Sequence, residues 1–287
     1  VHLYDPLPPF GRIAPAPYHY RCPHCADQPQ CTLVCADELE QVIVEEGAET
    51  VAAVIVDPCA TASAVSIPPP GYMPRLRQIC DRYGVLLIVD EVITGFGRTG
   101  KMFASEHWNL VPDIMTVSKG LSSGYMPIGA TIVREEIAQV FLESPEGVLS
   151  HGQTYGGHPV ACAVALKNIE LIEREGLAEQ AAEKGAYLLE GLRSLSHHPA
   201  FGDVRGLGLL CGLEFVHDQA TRRLPDDPRR AGYCMRTLCR NQGLITLTLH
   251  PGNVLFLAPP LTISYTEIDQ MVSMIDRALT AYEDRYL

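Results

Sequence analysis

Two hydrophobic periods divide the chain. In its first half, short continuous apolar runs recur: VAAVIVD (51–57), VLLIVD (85–90), DIMTVS (113–118) and GATIV (129–133). Runs of this length that end in an acid are expected of parallel strands, and the first is expected to be buried on both faces. DELEQVIVEEG (37–47) has acids in its first turn and a glycine after its end, so it predicts a helix, and another is expected over 73–83. Strands alternating with helices predict an α/β sheet with crossovers, mostly parallel and flanked by helices. From 158 to 198 the period becomes helical, with apolar positions three and four apart and Gly176 separating two segments. GLGLLCGLEF (206–215), a helix near 228–242, strands near 244–247 and 253–257 and a helix over 266–283 then predict a smaller α+β unit. The change of pattern places a boundary after residue 173, giving units 1–173 and 174–287. Residues 1–35 show no period and read as loop, and no internal repeat appears.

Composition narrows the function classes. Hydrophobic residues make up 47% and charged residues 20% of 287 positions, an ordinary globular balance that leaves disorder without support. The net charge of -12 argues against a nucleic-acid or anionic-membrane partner, since phosphate surfaces attract cations. No apolar run is long enough to span a bilayer, and VHLYDPLPPF has neither a basic region nor an apolar signal core. Several of the ten cysteines (Cys80, Cys162, Cys211, Cys234) sit in apolar patterns, where they are expected to act as small buried hydrophobes. A reduced, cytoplasmic setting is the simplest expectation.

Ligands of open α/β sheets bind beyond the carboxyl ends of the strands. Asp57 and Asp90 end two predicted strands and Lys119 lies just past a third, with Gly120, Gly124 and Gly129 nearby to allow close backbone approach. A lysine there can form an imine with an aldehyde, and an aspartate can hold a protonated pyridine nitrogen. Taken singly, a strand-end aspartate is more often a cap or turn residue, and a Lys-Gly pair is usually solvated surface.

The longer strings carry more. LLIVDEVITGFGRTGKMFASEHWNLVPDIMTVSKGLSSGYMPIGA (86–130) resembles the signature of the class III aminotransferases, which are fold type I pyridoxal-phosphate enzymes. HGQTYGGHPVACAVAL (151–166), DVRGLGLLCGLEF (203–215) and LAPPLTISYTEID (257–269) resemble later segments of the family, so the likeness runs from about residue 50 to the end. It implies a pyridoxal 5'-phosphate-dependent aminotransferase that moves an amino group from an amine or ω-amino acid to a 2-oxo acid. Asp90 would pair with the pyridine nitrogen, Val92 would pack on one ring face, and Lys119 would form the imine and then shuttle the proton. Thr154 would bind the cofactor phosphate, in the family usually that of the neighbouring subunit, so a homodimer is the expected working unit. A free lysine, with a pKa of about 10.4, is a poor base, but desolvation and a neighbouring cationic ring lower that value.

The resemblance also brings differences. Family members are longer, and the absent part is expected to be N-terminal, including the glycine/serine turn that cradles the phosphate and the aromatic residue that stacks on the ring's other face. The 1–173 unit is then an incomplete cofactor-binding large domain, and 174–287 the small domain. A truncated gene model, a piece of a longer chain and a paralogue without catalysis are all compatible with that. Asp57-Pro58 stands where the family more often has Glu-Pro, and arginine is absent from 250–261, where some relatives place a carboxylate-binding arginine. Arg205 is open to that role or to a structural one. Another reaction on the same scaffold (aminomutase, epimerase or decarboxylase) and a non-catalytic partner are the alternatives. Cys22, Cys25, Cys31 and Cys35 are spaced C-x2-C-x5-C-x3-C, which could ligate zinc but matches the usual modules poorly, so free thiols are the default and no metal is assigned. His19, His24, His151 and His158 offer no i, i+4 ligand pair and are taken as ordinary polar residues.

Overall fold

The computed structural model describes residues 9–287 except positions 29, 63 and 146. The expectations for residues 1–8 lie outside the described residues. The chain runs α1 (Val34–Glu46), β1 (Ala53–Val56), α2 (Tyr72–Tyr83), β2 (Leu86–Asp90), β3 (Ile114–Val117), β4 (Ala130–Val133), α3 (Glu135–Leu142), α4 (Pro159–Arg174) and α5 (Leu177–Arg193). It continues with β5 (Phe201–Leu207), β6 (Leu210–Phe215), α6 (Pro228–Asn241), β7 (Leu247–Leu249), β8 (Val254–Leu257) and α7 (Tyr265–Tyr286).

The first sheet has the order β1-β2-β3-β4. The β1–β2 and β2–β3 pairs are parallel, and β4 returns antiparallel along β3. On one face Leu87 and Val89 of β2 pack with Leu39 and Ile43 of α1 and Met73, Leu76 and Ile79 of α2. Asp113 pins this layer: its carboxylate accepts the Leu87 N–H at 2.7 Å, Arg77 Nη1 at 2.7 Å and Arg134 Nη1 at 2.9 Å. The expectation that the first apolar run is covered on both faces fails. β1 is an edge strand whose Val54 and Val56 pack on the α1–α2 layer, while the alternating Ile55 faces away and is 66% exposed.

The second sheet is antiparallel, with the order β5-β6-β8-β7, and α5, α6 and α7 cover it through Leu188, Leu192, Met235, Ile275 and Leu279. The 206–215 run holds a hairpin turn: Leu207 pairs with Leu210 around a two-residue turn, in which Gly208 takes φ +56°. The strand expected at 244–247 begins later. Helix α6 closes with Gly243 and Leu244 donating to the carbonyls of Arg240 and Cys239, which uses up the residues before β7. Cys80 and Cys211 are buried and burial pushes their thiols up, to about 11 and about 12; Cys162 and Cys234 are only half-buried.

The two sheet units meet at backbone contact distance. A Cβ on Gly185 of α5 would lie 2.1 Å from the Gly208 carbonyl oxygen, and one on Gly208 would lie 2.4 Å from the Thr99 carbonyl carbon. Loop 95–101 is thereby clamped between the β5–β6 turn and α5. No helix among the described residues is long and apolar enough to cross a membrane.

Candidate active site

The carboxyl ends of β2 and β3 position the central pair. Asp90 is the last residue of β2 and is in register with Thr116 on β3, and Lys119 opens the single helical turn that follows β3. Asp90 Oδ1 accepts the Val92 N–H at 3.0 Å. Lys119 is exposed, Asp90 and Val92 are half-buried, and the lysine backbone takes φ +35°, a conformation uncommon for a residue with a side chain.

The turn carrying Lys119 is held from several sides. Asn168 of α4 donates to the carbonyls of Gly120 at 2.7 Å and Leu121 at 3.2 Å, and accepts the Ser123 hydroxyl at 2.7 Å. Ser118 and Ser122 donate to the carbonyls of Ile128 at 2.9 Å and Met126 at 2.6 Å. Gly120 must be small, since a Cβ there would sit 3.1 Å from the Gly95 carbonyl oxygen and 3.1 Å from Phe96 Cβ. The Asp90 side is fixed by its neighbour. Glu91 is fully buried, its N–H donates to the Thr116 carbonyl at 2.9 Å, and its carboxylate accepts the N–H groups of Ala104 at 3.0 Å and Ser105 at 2.8 Å and the Thr94 hydroxyl. Sequence reasoning passed over Glu91 and Asn168. An acid directly after the strand-end Asp, and a lone amide within an otherwise apolar helix stripe, are the signals that could have found them.

Other candidates fall elsewhere. Asp57 is consumed by its own turn, accepting Cys59 N–H at 3.0 Å, Thr61 N–H at 2.8 Å and the Thr61 hydroxyl at 2.6 Å. Arg205 lies within β5, donating to the Ala64 carbonyl at 2.7 Å, to Asp203 at 2.7 Å and to buried Glu214 at 3.1 Å. Glu214 also receives Arg21 Nε at 2.6 Å and the Tyr18 hydroxyl, so Arg205 joins the N-terminal segment to the second sheet. Thr154 is exposed in a turn ahead of α4, and no hydrogen bond ties it to Asp90 or Lys119. Cys25 Sγ and Cys31 Sγ are 3.6 Å apart. Burial, then the neighbouring Cys31 and Cys22, push the Cys35 thiol up to about 12, and the four sulfurs do not converge as a ligand set among the described residues. Three grooves among the described residues are lined by residues of the second unit and lie away from Asp90 and Lys119.

A mixed sheet flanked by helices and joined to a small antiparallel unit is the architecture of the fold type I transaminases. The structure superposes on an amine transaminase from an uncultivated Pseudomonas species, solved in its PLP-bound form, with TM-score 0.88 and 41% identity over 93% of this chain and 61% of that one. It matches the omega transaminase of Pseudomonas jessenii, solved in complex with PMP, with TM-score 0.87 and 38% identity over 94% of this chain and 60% of that one. The chain belongs to the class III aminotransferase family, whose model matches residues 3–279. Among curated relatives, diaminobutyrate–2-oxoglutarate transaminase of Halomonas elongata is 40% identical over 95% of this chain and 60% of its own length. Putrescine–pyruvate aminotransferase of Pseudomonas aeruginosa is 39% identical over 96% of this chain and 59% of its own. The chain thus spans about 60% of the length of these relatives.

Proposed function

We propose that this chain contributes the lysine and aspartate side of a pyridoxal 5'-phosphate-dependent aminotransferase site that moves an amino group from an amine or ω-amino acid to a 2-oxo acid. The observation that carries this reading is the placement of Asp90 and Lys119 at adjoining strand ends, with Asp90 in register with Thr116 and Lys119 exposed. Those residues fit two ends of the cofactor: an exposed amine for its aldehyde, and a carboxylate with one oxygen anchored on Val92 N–H and the other available to the ring nitrogen. When bound, the cofactor supplies an aldehyde that condenses with amines and a cationic ring that withdraws electrons from the substrate carbon.

The chain's own residues do the rest. Asp90 keeps the proton on the ring nitrogen by charge pairing, and Val92 packs on one face of the ring. With the cofactor bound, Lys119 Nζ would take the proton from the substrate carbon and deliver it to the cofactor carbon. Thr154, exposed and outside the Asp90–Lys119 cluster, serves the phosphate of a second copy, so the working unit is a homodimer. The chain divides after residue 173 into a cofactor-binding unit and a small unit, and its setting is the cytoplasm. Relatives described as acting on diaminobutyrate, putrescine and taurine share a donor with a terminal amine, which supports the same donor class here. The test is a screen of ω-amines and ω-amino acids against pyruvate and 2-oxoglutarate with pyridoxal 5'-phosphate added. Amino-acid product with donor consumption is expected. Cofactor-dependent decarboxylation or isomerisation without amino transfer would refute the reaction assignment.

A further inference from the structure

Away from the strand ends, two adjacent histidines follow α5 and face α7. His197, His198 and Asp276 each offer one donor atom, and the three atoms lie within 4.8 Å of one another. His198 is buried, at 5% exposure, while the His197 side chain is 66% exposed.

Their hydrogen bonds set which ring nitrogen faces α7. His197 Nδ1 lies 3.0 Å from the Ser194 carbonyl, which only accepts, so Nδ1 carries the proton and Nε2 the lone pair. His198 Nδ1 lies 2.9 Å from Glu283 Oε2, and the same carboxylate accepts the Ala200 N–H at 2.8 Å. Glu283 is therefore an acceptor, and in its neutral form with the proton on Nδ1 His198 presents an Nε2 lone pair to Asp276. Both Nε2 atoms face Asp276 Oδ1, which lies 3.0 Å from His198 Nε2 and 3.8 Å from His197 Nε2. With both rings neutral, three acceptor atoms face one another across a gap that either a proton or a metal cation fills. In a tetrahedral zinc site with metal–ligand distances of about 2.0–2.1 Å, neighbouring ligands stand about 3.3 Å apart, and the two measured separations bracket that value. The Glu283–His198 contact matches the carboxylate–histidine arrangement that orients metal ligands.

We propose that His197, His198 and Asp276 form a site for zinc or a similar borderline divalent cation, oriented by Glu283. The mixture of imidazole and carboxylate suits zinc, nickel and cobalt better than calcium or magnesium. His197 and Asp276 also line a groove of about 500 Å³ between α5 and α7, so water can supply the fourth ligand.

The test is titration of the whole chain with cobalt(II) chloride, followed by visible absorption and by competition with zinc chloride. The chain's thiols bind cobalt with an intense sulfur-to-metal band in the near ultraviolet, which separates them from a nitrogen–oxygen site. One cobalt per chain lacking that band is expected, displaced by zinc. His197→Ala removes an exposed ligand without touching the core and weakens this binding at least about tenfold, the loss seen even for outer-sphere partners; Asp276→Asn does the same. Only sulfur-bound cobalt in the wild type, or equal binding in His197→Ala, overturns the proposal: a proton then occupies the space between His198 and Asp276.

Discussion

Asp90 on β2 stands in register with Thr116 on β3, and the chain needs only Val117 and Ser118 beyond Thr116 to reach Lys119. Parallel pairing therefore delivers an acid and an amine to the same end of the sheet, although 28 residues, β3 among them, separate them in sequence.

If this pair does the chemistry, Lys119→Ala loses the yellow chromophore that borohydride bleaches and lowers turnover by at least about 10²-fold, the usual size of a proton-transfer contribution. Asp90→Asn keeps the fold and the chromophore but turns over far more slowly. Absorbance spectra and initial rates of the two variants check this. A bleachable chromophore surviving in Lys119→Ala would remove the lysine from the site.

Glu91 is predicted to be structural rather than chemical. Glu91→Ala strands the N–H groups of Ala104 and Ser105 in the interior, at about 1–3 kcal/mol for each buried donor left unpaired. Urea denaturation measures the loss. An unchanged midpoint would mean that the neighbouring loop finds other partners.

The glycine clamp predicts a second, independent loss of stability. Gly185→Ala drives a methyl group into the Gly208 carbonyl, a backbone contact that cannot rotate aside, and the expected cost is at least about 1–3 kcal/mol. Gly84→Ala is the control for the added methyl group, because its Cβ would meet nothing within 4 Å, leaving only the strain of its φ of +67°. Thermal unfolding is expected to rank Gly185→Ala as the more damaging change.

Acid sensitivity is expected at Asp113. Burial alone would raise its pKa, but the Leu87 N–H and the guanidinium groups of Arg77 and Arg134 outweigh it and hold the carboxyl below its ordinary value. A folded-state pKa below the unfolded one gives stability that is complete above the ordinary aspartate value of about 3.9 and is lost as pH falls through the lowered folded value. Asp113→Asn is therefore less stable than wild type at neutral pH, by about 1.5–3 kcal/mol for the weakened charged hydrogen bonds, because Arg77 keeps Asp81 and Arg134 keeps Glu136. The gap narrows as the pH falls below about 4. Denaturation midpoints for both proteins between pH 7 and pH 3 test this, and a constant gap would contradict it.

Local pattern alone determined much of this protein. Apolar runs and their punctuation located the strands that carry Asp90 and precede Lys119, the two long helices after residue 158, and the change from an α/β pattern to a smaller α+β unit. Those features are legible because strand and helix periods are written in neighbouring residues. What depends on distant residues was decided only by the fold. The exposure of Ile55, the capture of Asp57 by Thr61, the use of Arg205 to hold Glu214, and the role of Asn168 under the lysine turn all rest on partners that no local period names. The same holds for His197 and His198: an adjacent pair has no ligand spacing of its own, and it becomes a cluster only because α7 brings Asp276 and Glu283 alongside. Backbone register and close packing bring such groups within a few ångströms of each other, and a one-dimensional pattern carries no record of that distance.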